Sequence, residues 1–482
     1  MIIANARIGL SDDDEPVDVV VEQGTVERIN PRRINPTRIN PTRINPRRTG
    51  AYDNAFDAAG GALIHGLHDH HLHLLALAAA RTSIDCAGLV GRDSMRAALR
   101  DHAKRTIDGW VRGVGYFETI AGPLDRDLLD ELLPATPLRI QHRSGTAWFC
   151  NSAALRRLGI AGPSPSVPEG VELGIDGRAT GRLFRLDGWL AVGVPQRTPD
   201  LAAIGRELAG YGVTALTDAT PFKRLGEIAT LVDAATDGTI PQRLQLMTGC
   251  DVPNESLGGV RLSCVKLMLD ERDPPSLESL SIAISAAHHA DRSVAIHLTD
   301  RSTTWLALSA WSNVGVRPGD RVEHGSVLDD DAVQRCAELG LIVVTNPALA
   351  TSRGDDHARD TDPDDREYLW RCRSLLDAGV AVRAGTDAPY GTADPWVCMA
   401  AAIERRTPIG AAVGGDKGLA PLGALGLFRN FELVRSRAIE VGDPADLCLL
   451  DRPIHEALAS PSAGFVRATL VGGNVIHETG AR

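Results

Sequence analysis

The sequence predicts an α/β fold: a (β/α)8 TIM barrel with a subdomain inserted after strand 1, plus a small β-sandwich domain built from both chain termini. Two observations predict the barrel. Runs of β-like apolar residues alternate with helical patterns from residue 61 onward, and polar residues recur at intervals of about 30 residues where those runs end. A third observation, β-like runs at both ends of the chain, predicts the smaller domain.

The terminal strands are predicted at residues 1–6, 17–21, 25–29, 445–450 and 468–476. Gln23-Gly24 is a suitable hairpin turn between the second and third runs, and Gly472-Gly473 divides the last run. We therefore assign residues 1–60 and 431–482 to the two halves of one small β-domain.

A pentapeptide repeat interrupts the N-terminal half. Arg28-Ile29-Asn30-Pro31-Arg32 is followed by three further copies, which gives a repeat loop over residues 28–48. Proline at every fifth position removes backbone donors and restricts the asparagine before it, so an irregular segment is expected. We interpret the repeat as an expansion in a surface loop. A basic tether for an anionic partner is the alternative.

The barrel domain is assigned to residues 61–430. Its strands are predicted at residues 62–67, 213–217, 244–247, 262–269, 294–297, 321–324, 341–345 and 380–385. Residues 74–212 are too many for one strand and helix unit. A subdomain inserted at about residues 88–205 is therefore predicted, with helices near residues 94–106 and 124–133.

Histidines cluster after the first predicted strand. Five of the 14 histidines fall within nine residues, namely His65, His68, His70, His71 and His73. In an extended strand His71 and His73 would project from the same face, close enough for two neutral imidazoles to share one cation. A polar strand end with solvated histidines gives the same local pattern, so the rest of the chain must decide.

Polar residues at the ends of later strands recur with the period of the barrel. Lys266 and His297 are 31 residues apart, His297 and His324 are 27 apart, and the 63 residues from His324 to Asp387 span two units. Because the carboxyl ends of barrel strands converge, these side chains are predicted to share one site with the histidine pair. The candidate metal-site residues are His71, His73, Lys266, His297, His324 and Asp387.

Each of the later candidates also has a purely structural interpretation. His297 and His324 are each compatible with a hydrogen-bonded core histidine, and Asp387 with a turn or helix cap. Lys266 lies within an apolar run, where a buried ammonium needs a partner or a chemical change, and a salt bridge to a carboxylate would satisfy it. Only the joint spacing favours a common site.

These motifs resemble those of the amidohydrolase superfamily, and within it the N-substituted formamide deformylase-like (YtcJ-like, amidohydrolase family 3) branch, over nearly the whole chain. Asp69-x-His71-x-His73 is similar to the family's strand-one motif, and Lys266 to its strand-four lysine. The signatures of strands five, six and eight are similar to His297, Glu323-His324 and Gly385-Thr386-Asp387-Ala388-Pro389. The chain departs from the family's pattern at His65, Thr146 and Arg185.

The resemblance implies one or two divalent metal ions. His71, His73 and Asp387 would bind one ion, His297 and His324 would bind a second, and a carboxylated Lys266 would bridge them. Zinc is the first expectation for a histidine-rich site, while manganese, iron and cobalt stay open on ligand type.

The function that follows is metal-dependent hydrolysis of a non-peptide carbon–nitrogen bond in a small-molecule substrate, an amide or an N-acyl or N-formyl compound. The metal lowers the pKa of bound water from about 15.7 towards 7, which supplies hydroxide, and Asp387 is the predicted catalytic proton shuttle. Two alternatives stay open: the same scaffold acting on a lactone or ester or as an isomerase or lyase, and a catalytically idle barrel that binds a small ligand. The sequence does not identify the substrate-binding residues.

Composition argues against several classes of partner. Lys and Arg number 51 against 62 Asp and Glu, a formal net charge of -11, so neither nucleic acid nor an anionic membrane is an expected partner. No run reaches the about 18 apolar residues of a membrane span, and the eight cysteines lack Cys-x-x-Cys spacing. We expect a soluble cytoplasmic protein. The sequence leaves a homo-oligomer open.

Overall fold

The computed structural model describes residues 1–10, 14–30, 55–162, 167–195, 198–221, 224–252, 257–269, 271–430 and 438–479. Beyond Asn30, the predicted repeat loop lies outside the described residues. The chain forms two compact units, one of Met1–Leu74 with Leu201–Arg482 and one of Leu75–Asp200. No helix among the described residues has the length and apolarity that a membrane crossing requires.

The strands of the described residues are, in chain order, β1 (Ile2–Ala6), β2 (Val17–Glu22), β3 (Thr25–Asn30), β4 (Ala55–Asp57), β5 (Leu63–His65), β6 (Leu67–Leu72), β7 (Ile84–Asp85), β8 (Val111–Tyr116), β9 (Leu138–His142), β10 (Ala147–Cys150), β11 (Val171–Leu173), β12 (Ala179–Phe184), β13 (Val213–Asp218), β14 (Arg243–Thr248), β15 (Arg261–Met268), β16 (Val294–Leu298), β17 (Arg321–His324), β18 (Ile342–Thr345), β19 (Ala381–Ala384), β20 (Leu447–Leu450), β21 (Val466–Val471) and β22 (Asn474–Glu478).

The helices of the same residues are α1 (Leu74–Arg81), α2 (Gly91–Arg105), α3 (Glu118–Ala121), α4 (Arg126–Leu132), α5 (Ser152–Arg157), α6 (Asp187–Gly193), α7 (Leu201–Gly210), α8 (Leu225–Thr236), α9 (Leu277–His289), α10 (Arg301–Val314), α11 (Asp330–Leu339), α12 (Pro347–Asp360), α13 (Cys372–Asp377), α14 (Pro395–Glu404), α15 (Pro421–Gly426) and α16 (Ile454–Ala459).

An eight-stranded parallel sheet runs in the order β19-β18-β17-β16-β15-β14-β13-β6. Its strands are short, apolar runs buried on both faces, as the predicted Val294–Leu298 segment illustrates with Val294, Ala295, Ile296 and Leu298 all buried. Seven of the eight predicted strands are confirmed as β13 to β19, with ends within about two residues. The fold is a TIM-barrel-like α/β fold.

The first predicted strand, residues 62–67, is wrong. Its residues Leu63–His65 form β5, which pairs antiparallel with β20 outside the barrel sheet, and the first barrel strand is Leu67–Leu72. The change of sheet occurs at Gly66, whose N–H donates to Asp446 O while the next N–H, of Leu67, donates to Gly212 O. The local sequence of residues 62–67 does not show that the chain passes from one sheet to another at this point.

The first and last barrel strands meet at their carboxyl ends. The N–H of Asp387 donates to His71 O at 2.7 Å, and the N–H of His73 donates to Ala388 O at 2.9 Å. The approach is so close that a Cβ at Gly385 would lie 2.5 Å from His71 N, which only glycine avoids. These bonds form a seam that brings both ends of the barrel sequence to one point.

The termini contribute two four-stranded sheets, in the orders β3-β2-β1-β4 and β22-β21-β20-β5. The hairpin predicted at Gln23-Gly24 is present as β2–β3, and the division predicted at Gly472-Gly473 separates β21 from β22, which pair antiparallel. One buried cluster includes side chains from both sheets, among them Ile3, Val19, Leu447, Leu449 and Leu470.

The unit Leu75–Asp200 contains a six-stranded sheet in the order β11-β12-β10-β9-β8-β7. The two helices predicted in this region correspond to α2 and α4. Helix α4 begins where the Asp125 carboxylate accepts a hydrogen bond from Leu128 N, and it buries Leu128, Leu129 and Leu132.

Candidate metal centre

Three side chains at the seam bring metal-ligand atoms together. One ligand atom from each of His71, His73 and Asp387 lies within 4.8 Å of the others. Asp387 Oδ1 is 3.5 Å from His71 Nε2 and 3.2 Å from His73 Nε2. His71 lies near the end of β6, His73 just beyond it and Asp387 three residues beyond β19, so the seam itself assembles the group.

The histidines of the next strands continue this group. The ring centroid of His324 is 4.7 Å from that of His71 and 4.4 Å from that of His297. His297 lies in β16 and His324 ends β17. The structure thus brings these two rings beside the first three ligands, although their ligand atoms are not part of the compact group of three.

Two of these residues hold a left-handed backbone. His324 has φ 68° and Asp387 has φ 56°. This conformation costs of order 1–3 kcal/mol for a non-glycine residue and persists only where the surroundings determine it, a situation typical of functional sites. Here it occurs at the two strand ends whose side chains meet the histidine pair.

Lys266 lies in β15 and is only 4% exposed. Its Nζ has no hydrogen-bond partner among the described residues. Burial lowers the pKa of Lys266 to about 8, although the nearby Glu323 and Asp387 carboxylates act to raise it. Among the described residues, Lys266 does not form the salt bridge that would stabilise a buried ammonium group. A buried amine without a hydrogen-bond partner is consistent with a metal-ligand position.

A second layer of polar groups engages the Nδ1 atoms of three histidines. His71 Nδ1 is bonded to Glu323 Oε2, His73 Nδ1 lies 3.0 Å from Thr220 Oγ1, and His324 Nδ1 lies 2.6 Å from Asn346 Oδ1. With Nδ1 occupied, Nε2 is the nitrogen left for a metal.

Sequence reasoning missed these partners. Asn346 directly follows β18, so the rule that found the other candidates, polar residues at strand ends, would have found it as well. Glu323 stands beside His324 in the strand-six motif, but a neighbour in sequence points to the opposite face of a strand. Nothing in the sequence shows that it reaches His71.

The remaining histidines of the cluster have structural partners. His65 Nε2 pairs with Asp443 Oδ2 at 3.0 Å, His68 Nε2 lies 2.9 Å from Thr217 Oγ1, and His70 Nε2 lies 2.7 Å from Arg429 O. The rings of His68 and His70 stack at 3.9 Å. Of the five clustered histidines, His71 and His73 therefore belong to the candidate centre, and the other three form hydrogen bonds away from it.

Asp69 forms hydrogen bonds to both sides of the seam. Its carboxylate accepts bonds from Thr386 Oγ1 at 2.5 Å, Thr386 N at 3.0 Å and His71 N at 3.1 Å. Burial raises the pKa of Asp69 to about 7, against the opposing effect of these bonds. Two of the three bonds, those from Thr386 N and His71 N, hold the backbone that carries His71 and Asp387.

The protonation states fit a divalent cation. Burial lowers the pKa of His71 to about 3 and also lowers those of His297 and His324, so these imidazoles are neutral at pH 7. Burial opposes ionisation of Asp387, but the hydrogen bond with His73 and the adjacent histidines hold the pKa of that carboxyl below its ordinary value. Neutral imidazoles with one carboxylate are ligands typical of zinc.

Known proteins match this chain along most of its length. The sequence model of the amidohydrolase family matches residues 54–477. N-substituted formamide deformylase from Arthrobacter pascens is 27% identical over 487 residues, which cover 88% of this chain and 89% of that protein. The putative amidohydrolase YtcJ of Bacillus subtilis (strain 168) is 24% identical over 394 residues, covering 72% and 74%.

Solved structures share the fold. An uncharacterized metal-dependent hydrolase from Pyrococcus furiosus superimposes with a TM-score of 0.69 at 18% identity, over 94% of this chain and 99% of that one. Atrazine chlorohydrolase TrzN from Arthrobacter aurescens TC1, complexed with zinc, gives a TM-score of 0.54 at 15% identity, over 99% and 95%. Because the family match spans most of the sequence, the chain belongs to the amidohydrolase family and is a hydrolase of carbon–nitrogen bonds other than peptide bonds.

Proposed function

We propose that this enzyme uses divalent metal to hydrolyse a small amide, in particular an N-acyl or N-formyl compound. The observation that carries the proposal is the convergence of His71, His73 and Asp387, whose ligand atoms lie within 4.8 Å of one another although the residues come from opposite ends of the barrel sequence. The similarity to a protein named N-substituted formamide deformylase supports the choice of substrate class.

The proposed ligands follow from the positions of the side chains. His71, His73 and Asp387 would hold one ion and His297 and His324 would hold a second, and Lys266 in carboxylated form would be shared between them. The unpartnered, buried Lys266 Nζ supports the bridging role, because a free amine is poorly accommodated there. Zinc is the proposed ion. A bound divalent ion acts as a Lewis acid and lowers the pKa of water.

Asp387 is proposed to move the proton. Its ionised carboxylate can accept the proton that the attacking water loses as the oxygen adds to the substrate carbonyl. The same carboxyl then donates this proton to the nitrogen as the carbon–nitrogen bond breaks, which leaves a carboxylic acid and an amine. The imidazoles 3.2 and 3.5 Å away keep the carboxyl ionised before each cycle.

We also propose that the two terminal sheets form a β-sandwich and that Leu75–Asp200 is the subdomain inserted after the first barrel strand. The buried cluster with side chains from both terminal sheets supports the first assignment, and the compactness of the segment supports the second. A cytoplasmic location is proposed on the eight free cysteines, seven of them buried.

The test is hydrolysis by protein that has been stripped with a chelator and reloaded with zinc or manganese. We expect turnover of N-formyl and N-acyl amines that is lost on stripping and regained on reloading. Turnover of lactones alone would favour carbon–oxygen chemistry on the same scaffold, and tight ligand binding without turnover would favour an idle barrel. Full activity in metal-free protein would refute the proposal.

A further inference from the structure

We propose that Glu323, held by Arg321, is the positioning residue that orients His71 for metal binding. The inference rests on the proposed function, because it concerns how one ligand of that metal centre is prepared.

Glu323 is fully buried and both of its carboxylate oxygens are engaged. Oε2 is bonded to His71 Nδ1, and Oε1 accepts from Arg321 Nε. Since neither oxygen is left over, the structure assigns this carboxylate a supporting role and not that of a ligand. It is distinct in this respect from Asp387, which faces the Nε2 side of the same imidazole.

Arg321 ties this carboxylate to the strand that carries the ligand. It is 1% exposed, and its Nη2 donates to His70 O at 3.1 Å. In the sheet order, β17 and β6 are not hydrogen-bonded neighbours, so the chain of contacts from Glu323 and Arg321 to His70 and His71 crosses the barrel interior. Strand β17 therefore holds the side chain of His71 through Glu323 and the backbone at His70 through Arg321.

The hydrogen bond to Glu323 determines which nitrogen of His71 is available to bind a metal. An ionised carboxylate accepts hydrogen bonds and donates none, so His71 carries its proton on Nδ1 and presents the lone pair of Nε2. That lone pair lies on the side of Asp387 Oδ1, 3.5 Å away. A carboxylate partner also makes an imidazole a stronger ligand, and loss of such a partner typically costs about 10–100-fold in metal affinity or activity.

A buried carboxylate of purely structural function provides the matched control. Asp320 is likewise fully buried and lies three residues before Glu323. It accepts hydrogen bonds from Val294 N at 2.8 Å and Trp311 Nε1 at 3.1 Å. None of its bonded partners is a candidate ligand. Replacement by the neutral amide removes one negative charge at either residue, but only Glu323 is bonded to a proposed metal ligand, His71.

The experiment compares wild-type enzyme, Glu323→Gln, Asp320→Asn and His71→Ala. Zinc affinity is measured by competition with a chromogenic chelator, and the visible absorption of the cobalt-substituted forms reports ligand geometry. The melting temperature of each metal-free form separates loss of stability from loss of affinity.

We expect Glu323→Gln to bind zinc about 10–100-fold more weakly and to alter the cobalt spectrum. We expect Asp320→Asn to retain wild-type affinity and spectrum at a reduced melting temperature. If Glu323→Gln fails to fold, Glu323→Asp keeps the charge but withdraws it from Nδ1 and should show the same loss.

Wild-type zinc affinity and spectrum in Glu323→Gln or Glu323→Asp would overturn the inference. An equal loss of affinity in Asp320→Asn would also overturn it, because the effect would then follow from any buried charge. Failure of the proposed function has a different signature, namely that wild-type protein and His71→Ala bind zinc equally poorly.

Discussion

Asp387 combines two properties that are rarely found together in a buried carboxyl group. It is buried, yet the hydrogen bond with His73 and the adjacent imidazoles hold its pKa below the ordinary value, so that it is ionised. Its backbone is fixed at the same time, since Asp387 N donates to His71 O. The fixed backbone places the carboxylate 3.2 Å from His73 Nε2 and 3.5 Å from His71 Nε2, which suits the proposed shuttle.

Replacement of Asp387 by asparagine should separate metal binding from catalysis. The amide oxygen keeps the shape of a ligand but is far too weak a base to accept a proton. We expect Asp387→Asn to retain metal and to lose about 10²–10⁴-fold in kcat. Metal content by elemental analysis and steady-state kinetics check this. His71→Ala is the comparison and should lose the metal as well. Undiminished turnover in Asp387→Asn would exclude the shuttle.

Asn346 should matter through His324. Its Oδ1 accepts from His324 Nδ1, and its Nδ2 donates to Gly385 O at 2.9 Å, so one amide links a ligand to the seam. We expect Asn346→Ala to weaken metal binding about 10-fold or more. Asn346→Asp, which keeps the acceptor, should lose less. Chelator competition measures both. Equal affinities in the alanine variant and the wild type would show that Asn346 has only a packing role.

Among the secondary-structure elements, the seam between β6 and β19 sets the positions of three of the proposed ligands, His71, His73 and Asp387. Each strand ends within three residues of a proposed ligand. The backbone N–H of Thr386, which follows β19, donates a hydrogen bond to the Asp69 carboxylate in β6. The ligands are thus placed by strand ends, which are more rigid than loops.

Gly385→Ala should disturb this seam. A Cβ there would lie 2.3 Å from His71 Cβ and 2.5 Å from His71 N, so the strand ends must separate. We expect a loss of about 1–3 kcal/mol in the free energy of unfolding together with weaker metal binding. Urea unfolding and metal titration measure these effects.

Gly226→Ala in α8 is the control for Gly385→Ala. Its Cβ would meet no atom within 4 Å, so alanine should stabilise the helix by about 0.4–1 kcal/mol. Similar behaviour of the two variants would contradict the steric account of the seam.

On the scale of the whole molecule, the sequence predicts the barrel well because two of its properties are local. The apolar runs of β13 to β19 and the residues at their ends can be counted along the chain. The transfer of the chain between sheets at Gly66 and the contact of Glu323 with His71 depend on residues far apart in sequence, so no local pattern contains them.

The same distinction applies to the terminal sheets. Their strands are locally visible, but their separation into two sheets depends on the pairing of β5 with β20 and of β1 with β4. Such pairings are chosen by tertiary contacts, and a hairpin signal specifies only adjacent strands.

The shared terminal cluster should stabilise the molecule measurably. Leu449 is 1% exposed within it. We expect Leu449→Ala to reduce the free energy of unfolding by about 2–5 kcal/mol, since it removes buried methyl groups and leaves a cavity. Equilibrium urea unfolding checks this. Val441→Ala, at a side chain 61% exposed, should change it by less than about 0.5 kcal/mol. Comparable losses would contradict a shared core.

The bond between Asp387 and His71 joins positions 316 residues apart. A contact between residues so far apart in sequence requires closure of a long loop, so we expect the proposed metal site to form late in folding. During synthesis, almost the entire barrel must leave the ribosome before the Asp387 carboxylate can contact His71 and His73. On the proposed function, a chain that ends before Asp387 lacks the complete group of side chains that would hold the ion.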